Sequence, residues 1–171
     1  MGIVSLFGCK AQQPVQPSQP SQSSQSSQSS QPSQPSSAKM PSGRLNEVSY
    51  SFQGMMMNVV GQPTLKRTEG GKALLTFQFY SDERSCEVSD TLLDKAREII
   101  EQEKMYEYAP SYSLDLKERI LDGYSWSFDA VFEGGERLSS HGRHVSPEGD
   151  GLHRIEKLLY AAAKECLPEE R

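Results

Sequence analysis

The residues best suited to ligand chemistry in this 171-residue chain lie together in one stretch, residues 124–145. It contains the only tryptophan, Trp126, and two of the three histidines, His141 and His144, with Arg143 between them. Aromatic rings beside imidazole and guanidinium groups can hold a carbohydrate, a peptide or an anion through stacking and cation–π contacts. Trp126, His141 and Arg143 are therefore the candidate ligand contacts.

The same stretch contains residue types found in zinc sites and in Ser-His-Asp triads, but for each kind of site a required element is missing. His141-x-x-His144 supplies zinc-ligand residue types, but on a strand these side chains point to opposite faces, and no third ligand is close in sequence. The residue types of a Ser-His-Asp triad are also present, in Ser139, Ser140, His141 and Asp129. No Gly-x-Ser-x-Gly elbow or equivalent accompanies them. We therefore predict no catalytic residue, no metal site and no cofactor. The sequence favours a non-enzymatic role and leaves enzyme activity open.

A β-hairpin must position these residues. Large side chains alternate with small polar ones over residues 124–132, which is typical of a half-buried strand. Gly134-Gly135 can form a two-residue turn, so that residues 137–145 pair back on the first strand.

The register of that two-residue turn places Trp126 opposite Arg143 and Phe128 opposite His141, so aromatic and cationic side chains share one face. Such a face is either an exposed ligand-binding strip or a core whose Arg and His reach water from its ends. The sequence favours the core alternative for Trp126 and leaves His141 and Arg143 as the better ligand contacts.

The rest of the domain predicts an α+β fold. Apolar alternation predicts strands over residues 48–57, 62–68, 72–80 and 84–89, and helical periodicity predicts helices over 91–106 and 151–167. Strands joined by tight turns are antiparallel, and two amphipathic helices need an apolar sheet face. We therefore expect an antiparallel sheet of about six strands with two main helices packed on one face. Residues 106–123 fit either a short helix or an edge segment.

Charge and hydropathy limit the partners. The net charge is −5, and the longest basic run is Lys66-Arg67, so we expect no nucleic-acid partner. No stretch approaches the roughly 18 apolar residues of a membrane-spanning helix.

The N-terminal nine residues resemble a bacterial lipobox. They read MGIVSLFGC, with a leucine three residues before Cys9 and a glycine directly before it. This resemblance implies a signal segment over residues 1–9, cleavage before Cys9 and lipidation of Cys9. The expected anchor is a lipid in the bacterial cell envelope, at the outer membrane or the periplasmic face.

Residues 10–43 are rich in Ser, Gln and Pro and predict a disordered tether ahead of a single domain, residues 44–171. Such a composition has too little apolar surface to offset the entropy of folding. A flexible chain of about thirty residues reaches ~30 Å on average, which suits a segment that holds a domain away from a bilayer.

Two further cysteines, Cys86 and Cys166, are both predicted to face inward. They could form a disulfide in an oxidising envelope or remain buried free thiols. The sequence favours free thiols.

The hairpin also resembles that of uncharacterised small proteins and lipoproteins of gut Bacteroides-type bacteria. The shared pattern is a DGxxW strand, a Gly-Gly turn and an SxHG strand, here in residues 122–126, 134–135 and 139–142. The resemblance implies an envelope lipoprotein and supplies no site. We therefore expect a lipid-anchored protein with a non-enzymatic binding or interaction domain for an envelope glycan, peptide or protein. The alternative is an envelope hydrolase or metal-dependent enzyme.

Overall fold

The computed structural model describes residues 38–54, 60–113 and 123–167. The strands are β1 (Leu45–Gln53), β2 (Val60–Arg67), β3 (Lys72–Phe79), β4 (Asp82–Ser89), β5 (Ser111–Ser113), β6 (Ser125–Phe132) and β7 (Arg137–Arg143). The helices are α1 (Thr91–Gln102) and α2 (Gly151–Glu165), with a short 3₁₀ turn at Met105–Glu107. The fold is α+β, as predicted. The predicted signal segment, most of the tether and the extension of β1 over residues 55–57 lie outside the described residues.

All seven strands form one sheet, in the order β4-β3-β2-β1-β6-β7-β5. Neighbours are antiparallel except β5, which runs parallel to β7 at the edge. The expected six strands thus become seven because of β5. Its three residues are too few to produce a readable alternation, and the residues that connect it to β6 lie outside the described part of the chain.

Both helices pack on the same face of the sheet, as predicted. They contact each other and strands β1 and β2. The face of α1 that meets the sheet carries Leu93, Ala96, Ile99 and Ile100. The face of α2 carries Leu152, Ile155, Leu159, Ala162 and Ala163. Every second residue of the central strands completes this core, because strand side chains alternate between faces.

The opposite face of the sheet, here called the open face, is polar and has no described helix on it. Register places charged residues and many hydroxyl side chains in its rows, the hydroxyls being Ser49, Ser51, Thr64, Thr76, Ser85, Ser125, Ser127 and Ser139. A sheet with one apolar and one polar face accounts for the strict alternation in the sequence.

The β6–β7 hairpin closes with three loop residues, where the sequence predicts two. The Phe132 amide donates to the Glu136 carbonyl at 2.8 Å, which leaves Glu133, Gly134 and Gly135 in the loop. Both glycines have positive φ, 87° and 88°, a conformation that side chains disfavour. The predicted register is therefore wrong by one residue.

A disulfide joins Cys86 on β4 to Cys166 just after α2, with the two Cα atoms 6.1 Å apart. The expectation of free thiols is wrong. Cys86 pairs with the buried Leu75 across the β3–β4 ladder, so its side chain points to the helix face, where the end of α2 passes. The bond closes a chain separation of 80 residues and ties an edge strand to the helical layer.

The packing of the domain begins before the predicted start at residue 44. Met40 packs against the core, and Pro41 is buried. The Arg97 side chain on α1 donates to the Gly43 carbonyl at 3.3 Å. These contacts hold the chain just ahead of β1 against α1.

Removing the disulfide should destabilise the domain. The double variant Cys86→Ala/Cys166→Ala should lose about 2–4 kcal/mol of unfolding free energy, since a long loop is freed in the unfolded chain. Urea denaturation followed by circular dichroism measures the loss. Dithiothreitol should reproduce it in the wild type and leave the double variant unchanged. Equal midpoints for the oxidised and reduced wild type would contradict the bond.

Candidate functional site

Trp126 lies in the core and is not an exposed ligand contact. Its side chain is only 3% exposed, and its indole nitrogen donates to the Val145 carbonyl at 2.7 Å. Gly142 lies directly opposite on β7, where a Cβ atom would overlap the indole ring and that carbonyl. The core alternative for Trp126 is confirmed, and Gly142 supplies the space that the ring occupies.

His141 and Arg143 lie on the open face, away from Trp126. In the observed register His141 pairs with Ser127 and Arg143 pairs with Ser125. Both are exposed at the surface. The predicted strip that joined Trp126 to these two cations is therefore wrong, because a slip of one residue moves each side chain of a strand to the other face.

The triad-type residues and the two histidines that the sequence suggested do not come together as a catalytic or metal-binding group. The Asp129 carboxylate accepts from the Arg137 guanidinium, at 3.0 Å from Nε and 2.6 Å from Nη2. Ser140 is buried on the helix face, where its hydroxyl donates to the Ala109 carbonyl at 2.6 Å. Within the described ranges, no group of three or more His, Cys, Asp or Glu side chains could hold a metal ion.

A groove of about 580 Å³ opens at the end of the sheet where β1 and β7 end and β6 begins. We call it the end groove; its lining residues are Gln53, Gly54, Gly123, Tyr124, Ser125, Arg143 and His144. Of the predicted contacts it includes Arg143, and His141 lies two residues away on the same strand.

Backbone and ring contacts fix one wall of the end groove. His144 has a positive φ of 60°, and its amide donates to the Tyr124 carbonyl at 2.9 Å, which extends the β6–β7 ladder by one pair. The Tyr124 ring stacks on Phe52 with centroids 5.6 Å apart and meets the His144 ring edge-on at 6.3 Å. A side chain at Gly123 would occupy the position of the His144 imidazole.

Arg143 differs from the other arginines of the described ranges in its electrostatic surroundings. Each of the others lies within 4.0 Å of a carboxylate: Arg44, Arg67, Arg84, Arg97, Arg137 and Arg154. Arg143 has no such partner in that part of the chain, and no Asp or Glu is among the described residues that line the end groove. The described lining of the end groove therefore carries a cation and no carboxylate, in a chain of net charge −5.

A second, smaller cavity of about 170 Å³ lies beside the start of β7. The Tyr108 hydroxyl next to it is buried without a hydrogen-bond partner among the described atoms. The pKa of Tyr108 is raised to about 12, chiefly by burial and, to a smaller extent, by the nearby Tyr112 and Glu103. Burial chiefly, with Glu156 next, also raises the pKa of Tyr50 in the core. Both phenols therefore stay protonated in the folded protein at pH values where they would ionise in the unfolded chain. Their contribution to the free energy of unfolding is complete below pH ~10 and falls as the pH rises above that value.

Sequence reasoning missed Gln53, Ser125 and His144 as lining residues of the end groove. The alternation of polar residues along β1 and β6 predicts an exposed strand face, but it does not predict at which end of that face a groove forms. The left-handed backbone of His144 leaves no mark in the sequence. The absence of an ion pair at Arg143 depends on the register, which the sequence did not supply.

No protein-family model matches the chain, and no match is found among curated proteins or solved structures. None of the helices described is long and apolar enough to cross a membrane. The functional argument therefore depends on the residues themselves.

Substitutions in the hairpin should separate core from surface. Trp126→Ala removes a large buried ring and should cost about 3–5 kcal/mol of unfolding free energy, whereas His141→Ala and Arg143→Ala should each cost less than about 1 kcal/mol. Thermal unfolding measures all three, and native tryptophan fluorescence should have the blue-shifted maximum of a buried indole. A maximum typical of bulk water, with an unchanged melting temperature for Trp126→Ala, would contradict the core placement.

Proposed function

We propose that this protein is a lipid-anchored component of the bacterial cell envelope whose domain binds a ligand without transforming it. The observation that carries the binding function is the end groove, where Arg143 has no ion-pair partner among the residues that the structure describes. The ligand classes that an envelope presents to such a domain are glycans, peptides and other proteins.

The disulfide supports a location outside the cytoplasm. Disulfides persist in oxidising compartments such as the periplasm and the cell surface, and are rare where thiols are kept reduced. The Cys86–Cys166 bond therefore fits an envelope protein. The likeness to envelope lipoproteins in the hairpin agrees with this location.

The N-terminal sequence supports the lipid anchor. Cys9 ends a lipobox-like LFGC, and the Ser/Gln/Pro-rich residues 10–43 separate it from the domain. A lipidated Cys9 would attach the chain to a bilayer, and a tether with a mean reach of ~30 Å would let the domain meet ligands beyond the headgroups.

The composition of the end groove favours recognition over reaction. Its described lining residues provide a guanidinium, an amide, two hydroxyls and an imidazole, and among them is no carboxylate that could exchange protons with these groups. No hydrogen bond joins His144 to Ser125 in the described structure, so that hydroxyl has no base to activate it.

Lipidation is tested by metabolic labelling with a fatty acid. The wild type should incorporate the label and sediment with membranes, whereas Cys9→Ala should do neither, because the thiol that carries the lipid is gone. Cys86→Ala/Cys166→Ala is the matched control and should label like the wild type. Equal labelling of Cys9→Ala would contradict the anchor.

Binding is tested with the full chain carrying Cys9→Ser, so that it is purified without lipid. Arrays of neutral and acidic glycans and of peptides should include ligands that bind saturably, and mass spectrometry should recover each ligand unchanged. Conversion of a ligand in molar excess over the protein would contradict a non-enzymatic role. The absence of saturable binding across all arrays would contradict the binding function.

A further inference from the structure

The end groove holds a guanidinium, that of Arg143, which has no anionic partner among the described residues. All six other arginines within the described ranges have a carboxylate within 4.0 Å, so the sheet and helices otherwise satisfy their arginine charges internally. A guanidinium presents planar, paired donors that match the two oxygens of a carboxylate or phosphate. Arg143 therefore has free donors for an oxyanion that comes from outside the chain.

Hydrogen-bonding side chains flank Arg143 on the open face. Register places Ser125 of β6 directly beside it on one side and Ser113 of β5 on the other. Gln53 of β1 follows Ser125 in the same row. In this row the Arg143 guanidinium lies between two serine hydroxyls, and the Gln53 amide follows. These groups can together donate several hydrogen bonds to one oxyanion.

The surrounding charges favour an anion over a cation or a neutral ligand. Among the described residues, none that lines the end groove carries a carboxylate. The nearest acidic side chain along β6 is Asp129, whose carboxylate is already paired with Arg137. His141, in the next row of β7, makes no ion pair among the described residues and adds a second basic side chain to the same edge.

We propose that the end groove is an anion-binding site, in which Arg143 holds a carboxylate or phosphate group of the ligand and Ser125 and Gln53 donate hydrogen bonds beside it. The inference rests on the proposed binding function and deepens it by naming the chemical class of the ligand. A carboxylate would come from an acidic saccharide or a peptide, and a phosphate from a phosphorylated envelope polymer. The shared feature is the oxyanion.

The test is a titration of the full chain carrying Cys9→Ser, labelled with nitrogen-15, in about 20 mM salt, where charges are weakly screened. The probes are sodium glucuronate, sodium phosphate and glucose, the last being the neutral counterpart of glucuronate. Saturable amide shifts at Gln53, Ser125 and Arg143 are expected with at least one anion, and weaker or absent shifts with glucose. Raising the salt to about 200 mM should weaken anion binding.

Three variants identify the contact. Arg143→Gln should weaken anion binding at least tenfold, and Arg143→Lys should recover part of the affinity because it restores the charge without the planar fork. Arg84→Gln is the matched control, since this arginine is similarly exposed but lies on β4 at the far edge of the sheet, beside Asp82. It should bind like the unsubstituted chain. Circular dichroism checks that each variant folds.

The possible results separate this inference from the proposed function. Binding of phosphate alone, glucuronate alone or both, each dependent on Arg143, would support the site and identify the source of the anion. Equal affinity for glucose and glucuronate, equal losses in Arg143→Gln and Arg84→Gln, or no saturable shift with either anion would overturn it. An array ligand whose affinity does not depend on Arg143 would also overturn it, while leaving the binding function intact.

Discussion

The register of β6 against β7 is the constraint on which the rest of the account depends. A loop of Glu133, Gly134 and Gly135 closes this hairpin, and its two glycines adopt the left-handed backbone that it needs. In this register Trp126 lies over Gly142 on the helix face, and Arg143 beside Ser125 on the open face. A slip of one residue would exchange the faces of one strand, moving a guanidinium under the helices, where burying an unpaired charge costs several kcal/mol. The loop, the core and the end groove therefore require the same pairing.

The two faces of the sheet differ: one forms the core, and the other includes the residues of the proposed binding site. On the helix face, aromatic and aliphatic side chains of the central strands pack against α1 and α2, and the Cys86–Cys166 disulfide joins the edge strand β4 to the end of that layer. On the open face, the hydroxyls of Ser51 and Ser127 on neighbouring strands form a hydrogen bond of 2.8 Å. Substitutions on this face remove little buried apolar area, so its side chains can be changed without unfolding the domain.

Amphipathic periodicity was enough to predict the fold class, both helices and the burial of Trp126, because each depends on which residues avoid water. Three features depend on geometry that composition does not encode. The three residues of β5 carry no alternation, the hairpin register depends on whether a Glu-Gly-Gly sequence makes a loop of two or three residues, and the disulfide depends on where α2 ends over β4. The end groove was predicted only in part. Arg143 was identified as a candidate ligand contact, but its neighbours, and the absence of an ion pair to it among the described residues, follow from the register.

The most direct test of the account is the cross-strand pairing of β6 and β7 in solution. Because the His141 amide donates outward to the Pro110 carbonyl, Ser127 and His141 form a pair without mutual backbone hydrogen bonds, and their α-protons lie close together. A nuclear Overhauser spectrum should therefore contain strong α-proton cross-peaks between Ser127 and His141 and between Ser125 and Arg143. Cross-peaks that instead pair Phe128 with His141 and Trp126 with Arg143 would contradict the register, and with it the separation of the core from the end groove.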